Sequence, residues 1–516
     1  MPDHGPSVVP FSLLPFLATV VNLGDQRLDD RVLLMIEQCL GSAKSSLAAM
    51  FGNGEKEVKA SQRLMSNRRV DIQDLRQALY SSSLESIRRH RVKTVVSIFD
   101  PTLLDFSSQH WKSERMPIGD GNGLGYQWLN ALLVEPDGGR ILGVGHQALA
   151  SNRGLDDELD YVGEVKKRKW QDKMRRNHPN QFLVIADAVD ARLPADIELI
   201  HVADREFDDG VVLRSRAKAS PRSHFIIRGN DTRMVQVRDP HWLPVEMRQG
   251  KGQKELDDNP EQLTNVYLKD LVQHLPCPVS RSLPLDARGR VCSNPENARH
   301  IAKLQVGAVP IRLGRKSKRG EQAQIPEEPV WLNLVVVREV PAREGVKPIL
   351  WLLLTDLPIG TPEEIDRIVR LYSRRWRTEE FFRTEKDAML AEDSELDDPQ
   401  STARLLVFMT FKAMFLDELR FRANIPAGVA LTKDQRRALK KGAAKAKALE
   451  TERRRTAVIP TLPASARAIM ALGLVAERGG WIGTSLGNYI LLRGLPTFVH
   501  DVAEGRYAWL LDEDVG

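Results

Sequence analysis

The chain has 516 residues, with 75 Lys and Arg against 69 Asp and Glu, giving a formal charge of +6 and a sequence pI near 9.1. That length accommodates several domains, and three cysteines, Cys39, Cys277 and Cys292, exclude a disulfide framework and fit a reducing compartment. No apolar run is long enough to cross a membrane. The stretch Val8 to Val21 has no basic segment before it and is broken by Pro10 and Pro15, so a soluble cytoplasmic protein without a signal peptide is expected.

Residues up to about 85 read as helical, with Asp29 to Ile36 opening an amphipathic segment. Strand-like runs follow at Val92 to Phe99, Gln127 to Glu135, Arg140 to Leu149, Ile197 to Ala203 and His224 to Arg228. The first ends on Asp100 and the fourth on Asp204. A rival run, Phe182 to Ala186, looks equally strand-like and ends on Asp187. A strand-end aspartate caps a turn as readily as it does chemistry, and periodicity does not choose between Asp187 and Asp204.

From 231 to 329 the chain is rich in proline, glycine and charge, with short β-like runs such as Ala308 to Ile311; it is too long for a plain loop. His274, Cys277, Cys292 and His300 fall here, but their spacing matches no common zinc finger. Apolar runs at Val330 to Val337 and Pro348 to Thr355 read as strands. Thr361-Pro362-Glu363-Glu364 is a capping box with proline at the first helical position, and it predicts a helix running past Lys386. Beyond 400, Leu405, Leu406, Phe408, Met409, Phe411, Met414 and Phe415 form a dense apolar set that reads as core.

The helix carries the chemistry. At about 100° per residue, Tyr372, Arg375, Glu379 and Lys386 share a sector roughly 60° wide. A carboxylate flanked by two cations and a phenol suits a metal ion held beside a phosphodiester; the same stripe could also be a solvated face laced with salt bridges. Basic clusters at 166 to 176, 315 to 319 and 433 to 455 could neutralise phosphates without reading sequence.

Asp204-Arg205-Glu206 after a strand, together with the Tyr372, Arg375, Glu379 and Lys386 spacing, resembles the signature of bacterial cut-and-paste transposases that carry a Tyr-Arg-Glu-Lys motif. The pattern is nearest to the transposase of transposon five and extends to Leu23 to Arg27, Gln62 to Asn67, Asp100-Pro101-Thr102 and the strand of Trp351. The resemblance favours Asp204 over Asp187. It implies an α/β, ribonuclease-H-like catalytic core of the retroviral-integrase superfamily, with a β-rich insertion and helical domains on either side. The implied division is a DNA-end-binding domain at 1–85, core at 86–230, insertion at 231–329, core again at 330–400, and a dimerisation domain at 401–516, where Ser465 to Glu477 and Gly479 to Trp481 match the family.

By the same resemblance, Asp100, Asp204 and Glu379 hold two Mg2+ ions, with Mn2+ able to substitute, which fits all-oxygen ligands and in-line displacement at phosphorus. Tyr372, Arg375 and Lys386 contact phosphate, so Tyr372 is not expected to be a nucleophile. Arg63, Asn67, Arg68, Arg205 and Arg228 are implied DNA contacts, and Trp351 and Trp376 receive or stack on a flipped base. The implied reaction is nicking at the element's end, hairpin formation, hairpin opening and joining to target DNA. Partners are double-stranded DNA and a second copy of the chain bridging two ends, associated with the bacterial nucleoid. Two other classes share these residues: a metal-dependent nuclease that never joins strands, and an inactive DNA-binding repressor. The complete carboxylate set with Lys386 argues against the repressor.

Overall fold

A computed structural model describes residues 13–41, 54–119, 123–152, 154–156, 178–238, 240–245, 263–286, 291, 298–313, 330–341, 348–389 and 391–422. The three basic clusters, Cys292 and the C-terminal matches at 465–481 lie outside them. Four helices come first: α1 (Leu13–Val20), α2 (Gln26–Gly41), α3 (Glu55–Ser66) and α4 (Ile72–Arg89). They are followed by β1 (Thr94–Asp105), β2 (Met116–Ile118), β3 (Gly123–Val134), β4 (Ile141–Ser151), β5 (Gly154–Leu155), α5 (His178–Arg192), β6 (Glu198–Ala203), α6 (Gly210–Arg216) and β7 (Ser223–Arg228). Next come β8 (Met234–Arg238), β9 (Leu263–Tyr267), α7 (Leu268–His274), β10 (Val279–Leu285), β11 (His300–Leu313), β12 (Trp331–Glu339) and β13 (Leu350–Thr355). The described chain closes with α8 (Pro362–Ser373), α9 (Trp376–Arg383) and α10 (Pro399–Arg422).

The strands form one mixed sheet in the order β5-β4-β3-β1-β6-β7-β13-β12-β11-β8-β9, with β10 on β11 and β2 on β3. Strands β1, β6 and β7 run parallel, while β3 and β4 are antiparallel neighbours on one side of them. The alternation of β1 sends Val96 and Ile98 into one apolar cluster and Val95 and Phe99 into another, so both faces are covered. Helices α2, α8, α9 and α10 contribute to the first cluster and α5, α6 and α7 to the second. In α10, Leu405 to Leu416 supply the expected core, with Phe408 and Met409 each 1% exposed. Strands β8 to β12, drawn from the segment read as an insertion and its flank, extend the same sheet through β13.

Three local expectations change. The run Phe182 to Ala186 is helical, not a strand: Phe182, Ile185, Ala186 and Val189 are buried at the i, i+3, i+4, i+7 spacing of one helix face. Strand β1 does not stop at Asp100 but continues to Asp105, paired with β3 alone once β6 leaves at Phe99. Pro101 is tolerated there because that edge needs no amide donor. Finally, the capping box at Thr361 and Glu364 is formed as expected, yet the helix is not continuous. Backbone bonds shorten to i→i−3 at Arg374, Arg375, Arg377 and Thr378, then widen into a π turn at Thr384–Ala388.

Candidate active site

Asp100 lies within β1 on the face covered by α8 and α9, directly opposite Asn130 of β3. Asp204 follows β6, where its side chain caps a short 3₁₀ turn by accepting the Arg205 amide at 2.8 Å. Both sit at the point where β1 and β6 part, which is the carboxyl end of the parallel strands. Arg228 ends β7, with its guanidinium 3.7 Å from Asp204 and donating to the Leu350 carbonyl at 3.2 Å.

The helical segment supplies the rest. Arg375, in the break between α8 and α9, donates to Asp100 at 3.1 Å and to Glu379 at 2.9 Å, bridging strand and helix carboxylates. Burial pushes the Asp100 carboxyl up to about 7; Arg375 opposes this, while Glu379, Asp204 and Glu206 add to it. Burial works against the Arg375 charge, yet the field of Asp100, Asp204 and Glu379 raises its pKa further. Four acids thus crowd around two arginines.

Tyr372 is buried on α8 and meets the Trp351 ring edge to face, with centroids 5.1 Å apart. Burial raises its phenol well above the ordinary range, so the hydroxyl keeps its proton, while its oxygen accepts from the Arg375 guanidinium. Trp376 opens α9 half-buried. Trp351 packs against Tyr372 and remains partly exposed at the edge of the apolar cluster.

Not every predicted residue joins the cluster. Lys386 lies in the π turn, with its ammonium engaged at 2.6 Å by the Leu103 carbonyl and at 3.0 Å by Glu392. Asp187, the rival, lies exposed on α5 and pairs with Arg216. Arg205 is exposed beside Asp204, and Arg63 and Arg68 are exposed on and just after α3. Sequence reasoning missed Glu206, whose charge bears on Asp100 and which the Asp204-Arg205-Glu206 triplet contained. It also missed Asn130 and Glu392, which only pairing across strands and turns reveals.

The carboxylates suit a hard divalent cation chemically, being all oxygen donors with excess negative charge. Among the described residues, however, no group of three or more His, Cys, Asp or Glu converges closely enough to hold a metal ion. Arg375 stands between two of the carboxylates and supplies the positive charge there. Among the described residues no helix is long and apolar enough to cross a membrane.

No family model matches the chain. Among solved structures, the chain is similar to the piggyBac transposase in a synaptic complex with hairpin DNA, at 9% identity, covering 82% of this chain and 84% of that one, with a TM-score of 0.27. At that score the similarity carries no argument about fold or activity.

Proposed function

We propose that this protein is a DNA transposase of the Tyr-Arg-Glu-Lys group, built on a ribonuclease-H-like core. The observation that carries the reading is the Arg375 bridge between Asp100 on β1 and Glu379 on α9, with Asp204 and Arg228 beside it at the carboxyl ends of β6 and β7. The sheet order β4-β3-β1-β6-β7, with its parallel β1, β6 and β7 and its antiparallel β3 and β4, supports the same core. Ligands of open α/β sheets bind at the carboxyl ends of strands.

Asp100, Asp204 and Glu379 would hold two Mg2+ ions, or Mn2+, once Arg375 turns toward substrate. Bound there, the ions supply activation of the attacking oxygen and stabilisation of the leaving one. Arg375 and Arg228 bind and orient phosphate oxygens. Tyr372 donates a hydrogen bond to phosphate from its protonated hydroxyl, and Trp351 and Trp376 offer rings to an unstacked base. Lys386 reaches DNA only by leaving Leu103 and Glu392. In this reading the site nicks the element's end, forms and opens a hairpin, and joins the element to target DNA. The domain division given above, the N-terminal contacts at Arg63 and Arg68, a homodimer bridging two ends and a nucleoid location belong to the same proposal.

The test is cleavage of a labelled duplex bearing the element's own end in Mg2+, comparing the parent with Glu379→Ala. Nicked, hairpin and joined products from the parent alone are expected. Cuts without joining would make the protein a nuclease, and binding with no products would make it a repressor; either outcome overturns the proposal.

A further inference from the structure

Beneath the site a second set of polar groups is buried without solvent. Glu385, Thr410, Gln147 and Asn130 are each 0 to 1% exposed. The Thr410 hydroxyl donates to Glu385 Oε1 at 2.9 Å and accepts from Gln147 Nε2, also at 2.9 Å. Gln147 Nε2 also reaches Asn130 Oδ1 at 3.1 Å. Asn130 stands directly opposite Asp100 in the β1–β3 register, and Gln147 directly opposite Asn130 in the β3–β4 register. Side chains opposed in this way share a sheet face and approach within about 5 Å. The row Asp100, Asn130, Gln147 therefore runs across three strands and continues through Thr410 on α10 to the π turn that holds Glu385 and Lys386.

We propose that Glu385 is a positioning residue: through Thr410, Gln147 and Asn130 it holds β1 at Asp100 and the π turn at Lys386 in one fixed relation. The proposal rests on the transposase reading of the site. A carboxyl group buried amid Phe381, Phe382 and the α10 core is costly compared with an apolar side chain, so packing alone does not explain it. Burial raises its pKa well above the ordinary value, against the Thr410 hydrogen bond. Glu385 Oε2, Gln147 Oε1 and Asn130 Nδ2 have no hydrogen-bond partner, so the row is not yet saturated and its groups are held by position as much as by bonds. A π turn at this point fits a segment whose register is set by such a contact rather than by helix propensity.

The experiment uses the full chain with Glu385→Gln and Glu385→Leu, each alone and combined with Lys386→Ala. Two quantities are read: the single-turnover nicking rate against Mg2+ concentration, and the shift in melting temperature that Mg2+ produces without DNA. Glu385→Gln keeps the shape and an oxygen that accepts from Thr410, and is expected to match the parent. Glu385→Leu is expected to stay folded, nick about 10-fold to 100-fold more slowly and need more Mg2+, the usual range for residues supporting a metal site. Its loss should shrink in the Lys386→Ala background, because the two act through one turn. Should the Leu variant fail to fold, Thr410→Val breaks the same chain and is expected to show the same loss. The proposal is overturned if Glu385→Gln is as impaired as Glu385→Leu, or if the chain can be broken with neither readout moving. A parent that never nicks but shows the Mg2+ shift sinks the transposase reading and leaves the variants' Mg2+ shifts to decide this one; a parent with neither sinks both.

Discussion

The two ends of β1 and β6 carry charge in opposite ways. At the amino end the groups are matched: Glu198 accepts from Arg367 at 2.8 and 2.9 Å and from Thr94 at 2.6 Å, Lys93 meets Asp196 at 2.6 Å, and His224 meets Asp356 at 2.9 Å. At the carboxyl end, Asp100 and Glu379 share Arg375, Asp204 has Arg228, and the charge of Glu206 adds to the acidic side. The consequence appears in acidity. Although burial pushes Glu198 up, hydrogen bonds from Thr94 and Arg367 hold it below its ordinary value, whereas Asp100 rises to about 7. Matched ends serve the fold, and an end left with excess charge is where a cationic ligand is expected.

The sharpest way to break this comparison is to remove acids from the crowded end. Glu379→Ala and Asp100→Asn should each slow cleavage by about a thousandfold or more, several kcal/mol of transition-state stabilisation, with no loss of melting temperature. Chelation should stop the parent equally. Mg2+ should raise the parent's melting temperature and leave that of Asp100→Asn unmoved; equal shifts in both proteins would show that the cation binds elsewhere. Arg375→Ala comes next. It should slow cleavage about a hundredfold, as expected when one charged donor is lost, and destabilise the protein by about 1 to 3 kcal/mol by leaving Asp100 and Glu379 without their partner. Mg2+ should restore part of that stability, and a thermal melt with and without the ion checks it.

How far the sequence revealed this depended on the range of the interaction. The Thr361 cap and the Arg375–Glu379 pair were legible because both depend on spacings of three or four residues, and both are formed. The runs that became β1, β6 and β7 were legible as strands from their short apolar stretches. The helix at 178–192 was misread from its five central residues, because the buried set of Phe182, Ile185, Ala186 and Val189 is visible only over eight. The break at Arg374 and the π turn at Thr384 were not legible: each coincides with contacts from distant parts of the chain, Pro136 and Asp137 carbonyls for Arg374 and Thr410 for Glu385. Ideal helical geometry therefore put Lys386 on the stripe, while the structure ties it to Leu103. Asn130 could not be placed opposite Asp100 before the register of β1 and β3 was known.

Smaller effects belong to the matched end and should touch stability alone. Arg367→Ala removes the two-pronged contact to Glu198, but both side chains are about a third exposed, at 36% and 30%. Solvent screening limits the cost to about 1 kcal/mol, and the cleavage rate should match the parent's; a slowed reaction would mean that the two ends of the sheet are coupled.

The smallest effect is the pH dependence of His224. Its hydrogen bond to Asp356 holds the imidazole above its ordinary pKa, against the pull of partial burial. A histidine whose folded value lies above its unfolded value of about 6.5 stabilises the fold fully below that value, and loses the contribution as pH rises through the folded one. Buried His201 works the other way, since burial lowers its pKa and acid must charge it on unfolding. The two are separated by comparing the parent with His224→Gln, in which His201 is unchanged. The parent's advantage should be greatest near about pH 6, stay under about 1 kcal/mol for a partly buried pair still within reach of solvent, and fade toward alkaline pH. An advantage that grew with pH would mean that His224 is neutral in the fold and that Asp356 is held by its bond to the Phe225 amide alone.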